Sequence, residues 1–204
     1  MNLIARRGFL TVSLSAPLWL AACSARGSDP TPEIPEELEP FTPTGTPVPS
    51  PTPATDLPPG FRTVSGAGFT IAIPETWNDS FVDAVDSQGS DGWAFQDPDA
   101  DDPLQYVGVL LDAEPVSGAI EQSAALEASL KAQQATGLER GLISWPNTVY
   151  AVLVDWQLND TRKRQLMAER TEGGPILNVT LSAAVGSDAW STLEAILSTF
   201  ALTD

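Results

Sequence analysis

Leu177, Val179, Leu181 and Ala183 alternate with Asn178, Thr180 and Ser182. A period of two puts the two sets on opposite faces, so residues 176–184 are predicted to form an antiparallel strand buried on one side. Phe69-Thr70-Ile71-Ala72-Ile73 alternates in the same way until Pro74, which lacks the donor a ladder needs. Shorter strand signals occupy 81–85 and 92–96, and a stronger one 106–111. Further on lie 141–144, 149–157 and 163–170. Residues 149–154 are apolar almost without interruption, which predicts a central strand. Leu158-Asn159-Asp160-Thr161 and Glu172-Gly173-Gly174-Pro175 are turn sequences that join the last strands as hairpins.

The period lengthens twice. Residues 119–136 contain no Gly or Pro, and Ala119, Leu126 and Leu130 recur near the helical spacing. Ser117 is the expected N-cap and Gly137 the expected left-handed residue after the helix. A second helix is expected after Ser187, with Trp190, Leu193, Ile196, Leu197 and Phe200 as one apolar stripe and Asp188 in its first turn. Strands, helix, four strands, helix predict an α+β domain over residues 60–204, an antiparallel sheet sandwiched by helices. A domain of that length buries roughly two thirds of its unfolded surface, enough for a core without cross-links.

The first 59 residues have no such pattern. Residues 1–22 carry Arg6 and Arg7, then an uncharged apolar run, then Leu20-Ala21-Ala22 before Cys23. These are the parts of an export signal, and the run is shorter than the ~20 residues a membrane span needs. Leu-Ala-Ala-Cys resembles the lipobox of bacterial lipoproteins. The resemblance implies that a lipoprotein signal peptide is cleaved before Cys23 and that diacylglycerol is joined to its sulfur. Arg-Arg-Gly-Phe-Leu resembles the twin-arginine export consensus, and an Arg pair also suits an ordinary secretory signal. Residues 23–59 then form a Pro/Thr-rich linker. Its prolines exclude helix and sheet, and its few large apolar residues cannot offset ordering entropy, so a disordered, polyproline-II-like tether is expected. At ~3.1 Å per residue its reach approaches about 100 Å. The Asn-x-Ser/Thr triplets at Asn78, Asn159 and Asn178 are read as chance matches.

Two short motifs bound the domain. Phe69-Thr-Ile-Ala-Ile-Pro-Glu-Thr-Trp77 resembles the opening of PsbP-like (Mog-type) domains, whose first core strand ends in Pro-x-x-Trp. Leu193-Glu-Ala-Ile-Leu-Ser-Thr-Phe200 is similar to their terminal helix. Signal, tether and single domain resemble the layout of LpqN/LpqT-type envelope lipoproteins. The resemblance implies an antiparallel sheet between helices and brings no active site with it.

Composition narrows the chemistry. The chain has 10 basic and 27 acidic residues, a net charge of -17, and no histidine. Such a balance argues against nucleic acid as a partner. Without histidine, Ser-His and Cys-His nucleophile pairs cannot form, and one cysteine cannot build a zinc site or a disulfide. Asp97, Asp99 and Asp101 match the first ligand positions of an EF-hand loop. Asp102 stands where its glycine belongs and Gly108 where its glutamate belongs. The loop 97–103 is therefore expected to be a solvated hairpin connection, with no metal and no cofactor. Arg162-Lys163-Arg164 is the domain's basic cluster, expected at a solvated hairpin end, with contact to an anionic partner as its functional reading. Trp77, Trp145, Trp156 and Trp190 are expected in the core, and Trp93 is the candidate for exposure.

These readings together predict a non-catalytic protein, lipid-anchored through Cys23 at the outer face of the bacterial cytoplasmic membrane. It would serve as a binding or accessory module for an envelope protein or for a small apolar or glycan ligand. The alternative is a carboxylate-dependent hydrolase of an envelope polymer, which would require two close, buried carboxylates in a cleft.

Overall fold

A computed structural model of the chain describes residues 51–82 and 91–203. Strand β1 (Phe61–Gly66) pairs with β2 (Phe69–Pro74), and β3 (Asn78–Val82), β4 (Asp91–Gln96) and β5 (Tyr106–Asp112) follow. Helix α1 (Ala119–Ala132) leads to β6 (Thr136–Leu142), β7 (Tyr150–Leu158), β8 (Thr161–Glu169) and β9 (Ile176–Ala184). Helix α2 (Trp190–Ser198) and the short β10 (Ala201–Leu202) close the chain. Seven strands form one antiparallel sheet in the order β3-β4-β5-β9-β8-β7-β6, and β1-β2-β10 form a second.

Alternation sorts the core into two layers. Leu153, Leu166, Val179, Leu181, Val107 and Phe95 face one way, against α2 and the small sheet. Val152, Val154, Trp156, Met167 and Ile176 face the other way, against α1. The layers are therefore α1, the large sheet, then α2 with the small sheet, as an α+β sandwich requires. The α2 stripe behaves as its spacing predicts: Leu193, Ile196, Leu197 and Phe200 are buried, each contributing roughly 1.5–3 kcal/mol.

The two motifs at the domain's ends have structural work. Pro74 ends β2, and the Trp77 N–H donates to the Pro74 carbonyl (3.0 Å), a turn that drives the indole into the core. After α2, Thr199 Oγ1 accepts from the Ala72 N–H (2.8 Å), satisfying an edge of β2 that β10 is too short to reach. Upstream of β1, the Ala54 N–H donates to the Ser198 carbonyl (2.7 Å), tying the end of the Pro/Thr-rich stretch to the C-terminus of α2.

Several expectations need correcting. Helix α1 stops four residues early. Gln134, in the left-handed region (φ 62°), closes it by a Schellman pair: Ala135 N–H to Leu130 C=O and Gln134 N–H to Lys131 C=O, both 3.0 Å. Gly137 (φ 58°) instead sits in β6, where the pairing with β7 shifts register. Neither expected serine is an N-cap; Gly118 and Ala189 occupy those positions, so Asp188 precedes α2. The strand expected at 81–85 is found at Asn78–Val82, and 83–85 lie outside the described residues. Strand β7 is second from the sheet edge, not central. Its continuous apolar sequence reports coverage on both faces, by α1 on one side and the α2 layer on the other.

Candidate functional sites

Cys23, Arg6 and Arg7 lie outside the described residues. Trp77, Trp145 and Trp156 are buried as expected, and Trp190 is partly buried. Trp93 is not an exposed platform: it packs edge-on to Phe69, ring centroids 4.9 Å apart. In the acidic loop, Asp97 Oδ1 accepts from the Asp99 N–H (3.0 Å). Asp102 accepts from the Leu104 N–H and, across to β9, from the Ala184 N–H, both 2.8 Å. These carboxylates brace the connection between β4 and β5. Among the described residues no three acidic groups gather to hold a metal ion.

The basic run does not form a patch, because strand alternation divides it. Arg162 and Arg164 pair with Ala183 and Leu181 on the α2 side, whereas Lys163 pairs with Ser182 on the α1 side. Arg164 is 5 % exposed and forms a two-pronged pair with Asp155 (Nε to Oδ1 and Nη2 to Oδ2, both 2.6 Å). Its Nη1 reaches Glu194 on α2 (2.9 Å), which also accepts from Trp190 Nε1 (2.9 Å). Burial opposes the Arg164 charge, but hydrogen bonds and attraction from Asp155, with Glu194 and Glu139 beyond, outweigh it and raise the pKa above its ordinary value. Arg162 stacks 3.9 Å over the Trp190 ring. Arg162 and Arg164, expected at a solvated hairpin end, therefore clamp α2 to the sheet, while Lys163 faces the other side.

A cleft of about 460 Å³ opens at the N-terminus of α1, lined by Glu121, Tyr150, Glu169 and Glu172 among others. Oxygens of Glu121 and Glu169 lie 3.0 and 3.1 Å from where a Cβ on Gly118 would stand. This is the carboxylate neighbourhood a hydrolase would need, but Glu169 is already committed. It is 1 % exposed, its Oε2 accepts from the Ala119 N–H and its Oε1 from the Gly173 N–H, both at 2.8 Å. A strand glutamate thus caps the first turn of α1 and holds the turn after β8. Glu121 is exposed on the helix, so the pair does not divide into a buried acid and a buried base.

Further carboxylates are also paired. Glu127 accepts from Lys131 and Arg140, both at 2.6 Å. The Lys131 hydrogen bond, helped by Arg140 and opposed by partial burial, holds its carboxyl below the ordinary 4.5. Asp79 accepts from Arg62 (2.7 Å), whose hydrogen bond and charge lower its pKa. A second opening, about 670 Å³, lies beside Asn147, Thr148, Arg170 and Thr203, where Arg170 Nη1 donates to the Thr203 carbonyl (2.8 Å).

The α1 side of the large sheet is only half covered. Helix α1 packs on β6, β7 and β8. Beyond it the face continues over β9, β5 and β4 without a covering element among the described residues. In register across those strands lie Gln165, Thr180, Gly108 and Ala94, and beside them Met167, Asn178, Leu110 and Gly92. Leu110 is 43 % exposed. Gln165 Nε2 donates to Asn178 Oδ1 (3.0 Å), so the floor is a layer of amides, hydroxyls and small residues.

No family model matches the sequence. No curated protein matches it either. Among solved structures, the chain is similar to the solution structure of cyanobacterial PsbP (CyanoP) from Synechocystis sp. PCC 6803. The two are 17 % identical with a TM-score of 0.47, over 71 % of this chain and 93 % of that one. A crystal structure from Bacteroides thetaiotaomicron aligns at 14 % identity and a TM-score of 0.38, over 71 % of this chain and 48 % of that one.

The sequence pattern missed Glu169 and Asp102. The signal for Glu169 was a charge closing the run Leu166-Met167-Ala168, where three apolar residues already exceed strict alternation. Asp102 gave no signal, since it lies among other aspartates and is distinguished only by reaching Ala184.

Proposed function

We propose that this chain is a non-catalytic, lipid-anchored module of the bacterial envelope, with a PsbP-like (Mog-type) domain of the LpqN/LpqT kind. It is held through Cys23 at the outer face of the cytoplasmic membrane and offers its domain to a partner. The anchor reading rests on the Leu-Ala-Ala-Cys motif, the basic residues before it and the tether after it. Two acyl chains on one cysteine anchor stably where one does not.

The observation that carries the binding reading is where the carboxylates are used. Glu169 and Asp102 hold backbone N–H groups, and Asp155, Glu194 and Glu127 pair with arginine. A carboxylate-dependent hydrolase needs two carboxylates free to act, and in the α1 cleft Glu169, beside Glu121, is held by two backbone N–H groups. The half-covered sheet face, in contrast, carries the amides and hydroxyl of Gln165, Asn178 and Thr180 among small residues, with Leu110 exposed beside them. That composition supports a hydroxyl-rich glycan or polymer over a small apolar ligand.

Two measurements test the proposal. A clickable fatty acid should label the wild-type chain and not Cys23→Ala, which should also leave the membrane in a carbonate wash; labelling of Cys23→Ala refutes the anchor. Solubilised envelope glycans should be retained by the wild-type chain and lost with Leu110→Asp, while cleavage products accumulating from those glycans would refute the non-catalytic reading.

A further inference from the structure

Lys163 stands in register with Ser182, and Ser182 with Tyr106, so three polar side chains from β8, β9 and β5 make one row across the half-covered face. Two of them, Lys163 and Ser182, are unusual by themselves. Lys163 is half-buried in a domain where 21 acidic residues outnumber 7 basic ones. Yet among the described residues no carboxylate lies within 4.0 Å of its Nζ; the ion pairs go to Arg62, Lys131, Arg140 and Arg164 instead. Its polar contact is the Tyr106 hydroxyl, at 3.4 Å the outer limit of a hydrogen bond. Between them Ser182 is 0 % exposed, and its Oγ has no hydrogen-bond partner. A buried hydroxyl left unpaired costs roughly 1–3 kcal/mol and calls for an explanation.

We propose that Lys163, Tyr106 and Ser182 form a seat for a singly charged oxyanion, a carboxylate or a phosphodiester. The proposal rests on the reading of this face as a contact surface and names the group it grips. An ammonium and a phenol converge there, and both donate to an anionic oxygen. Lys163 stands on a flexible four-carbon stem and touches Tyr106 only loosely, through the long hydrogen bond and a ring contact at 5.8 Å to the centroid, so its ammonium can swing toward a ligand. Lys163 and Tyr106 are the two direct cross-strand neighbours of Ser182, and when they turn to the ligand its hydroxyl donates to the same oxygen. Gly108 and Thr180 lie on the neighbouring row, with the Tyr106 ring beside Gly108, 3.5 Å from where a Cβ on it would stand. One ammonium matches one negative charge, which sets the seat apart from the multi-arginine sites that hold dianionic phosphate groups.

The test is an NMR titration of the full chain with dimethyl phosphate and, separately, with acetate, at constant ionic strength. Amide shifts of Lys163, Ser182 and Gly108 should saturate together with a Kd of about 1–10 mM for at least one probe, and the tighter probe identifies the source. Lys163→Met keeps an apolar stem beside Ser182 and should weaken binding about tenfold or more; Tyr106→Phe should weaken it about three- to tenfold. Lys131→Met, on the exposed side of α1, should change nothing. Absence of saturation with both probes by about 50 mM overturns the seat, as does undiminished binding by Lys163→Met or equal loss in Lys131→Met. Such a failure leaves glycan retention and its Leu110 dependence standing, so the two readings fail separately.

Discussion

Glu169→Ala should be among the most damaging single changes in this domain. The side chain is 1 % exposed and holds two backbone N–H groups, Ala119 at the start of α1 and Gly173 in the turn after β8. The Ala119 bond is buried and charge-assisted, so its loss strands a donor in the interior at a cost of about 2–3 kcal/mol. Gly173 is exposed, and water can replace its acceptor, which limits that loss to about 0.5–1 kcal/mol. The sum is about 3 kcal/mol. With a urea m-value of about 2 kcal/mol/M, the midpoint should fall by about 1.5 M with m unchanged. Glu169→Gln keeps one acceptor oxygen but loses the negative charge at the helix N-terminus, and should cost about 1–1.5 kcal/mol. Tryptophan fluorescence in urea reads both variants. A loss below about 1 kcal/mol for Glu169→Ala would refute the capping argument and reopen Glu169 as a free carboxylate.

A Cβ on Gly66 would lie 2.1 Å from the Phe69 ring and 2.9 Å from Trp93, so Gly66→Ala should cost about 1–3 kcal/mol by overpacking; a thermal midpoint equal to wild type refutes this. Arg164→Met leaves Asp155 and Glu194 without their cation and should cost about 3–5 kcal/mol, while the double change with Asp155→Leu should recover a good part of it. A double-mutant cycle by urea unfolding measures that coupling. For Glu127 the folded pKa is depressed, so its stabilisation is present above the ordinary 4.5 and fades as pH falls through the lowered value. The stability difference between wild type and Glu127→Gln should thus be positive at pH 7, shrink below 4.5 and vanish at lower pH. A difference independent of pH would refute the charge pairing.

The sequence shows most clearly where burial imposes one period. Strand β9 has its observed bounds because Leu177, Val179, Leu181 and Ala183 must face the core while Asn178, Thr180 and Ser182 do not. Stretches that lie at edges are harder to read. Phe61-Arg-Thr-Val-Ser-Gly and Thr136-Gly-Leu-Glu-Arg-Gly-Leu are half-exposed edge strands with glycines and charges, and neither has a clean alternation. The helix caps are hard to read for a related reason. Glu169 satisfies Ala119 from another element altogether, which no local motif records. The row Lys163–Ser182–Tyr106 is equally invisible in one dimension, since it exists only once β8, β9 and β5 are in register. Arg162-Lys163-Arg164 shows the converse: adjacent in sequence, the three are separated by the pleat.

The small sheet has a mechanical consequence. Strand β1, at the N-terminal end of the domain, and β10, at its C-terminal end, flank the same strand β2. Tension arriving from the N-terminal side meets the Ala54–Ser198 hydrogen bond first, and then the Phe61–Pro74 end of the β1–β2 ladder. Loaded from that end, an edge strand opens one rung at a time, while the seven-stranded sheet, which shares no ladder with β1, bears little of the force. The three-stranded sheet is placed as a fuse, able to release a few residues of β1 under load and close again when the pull relaxes.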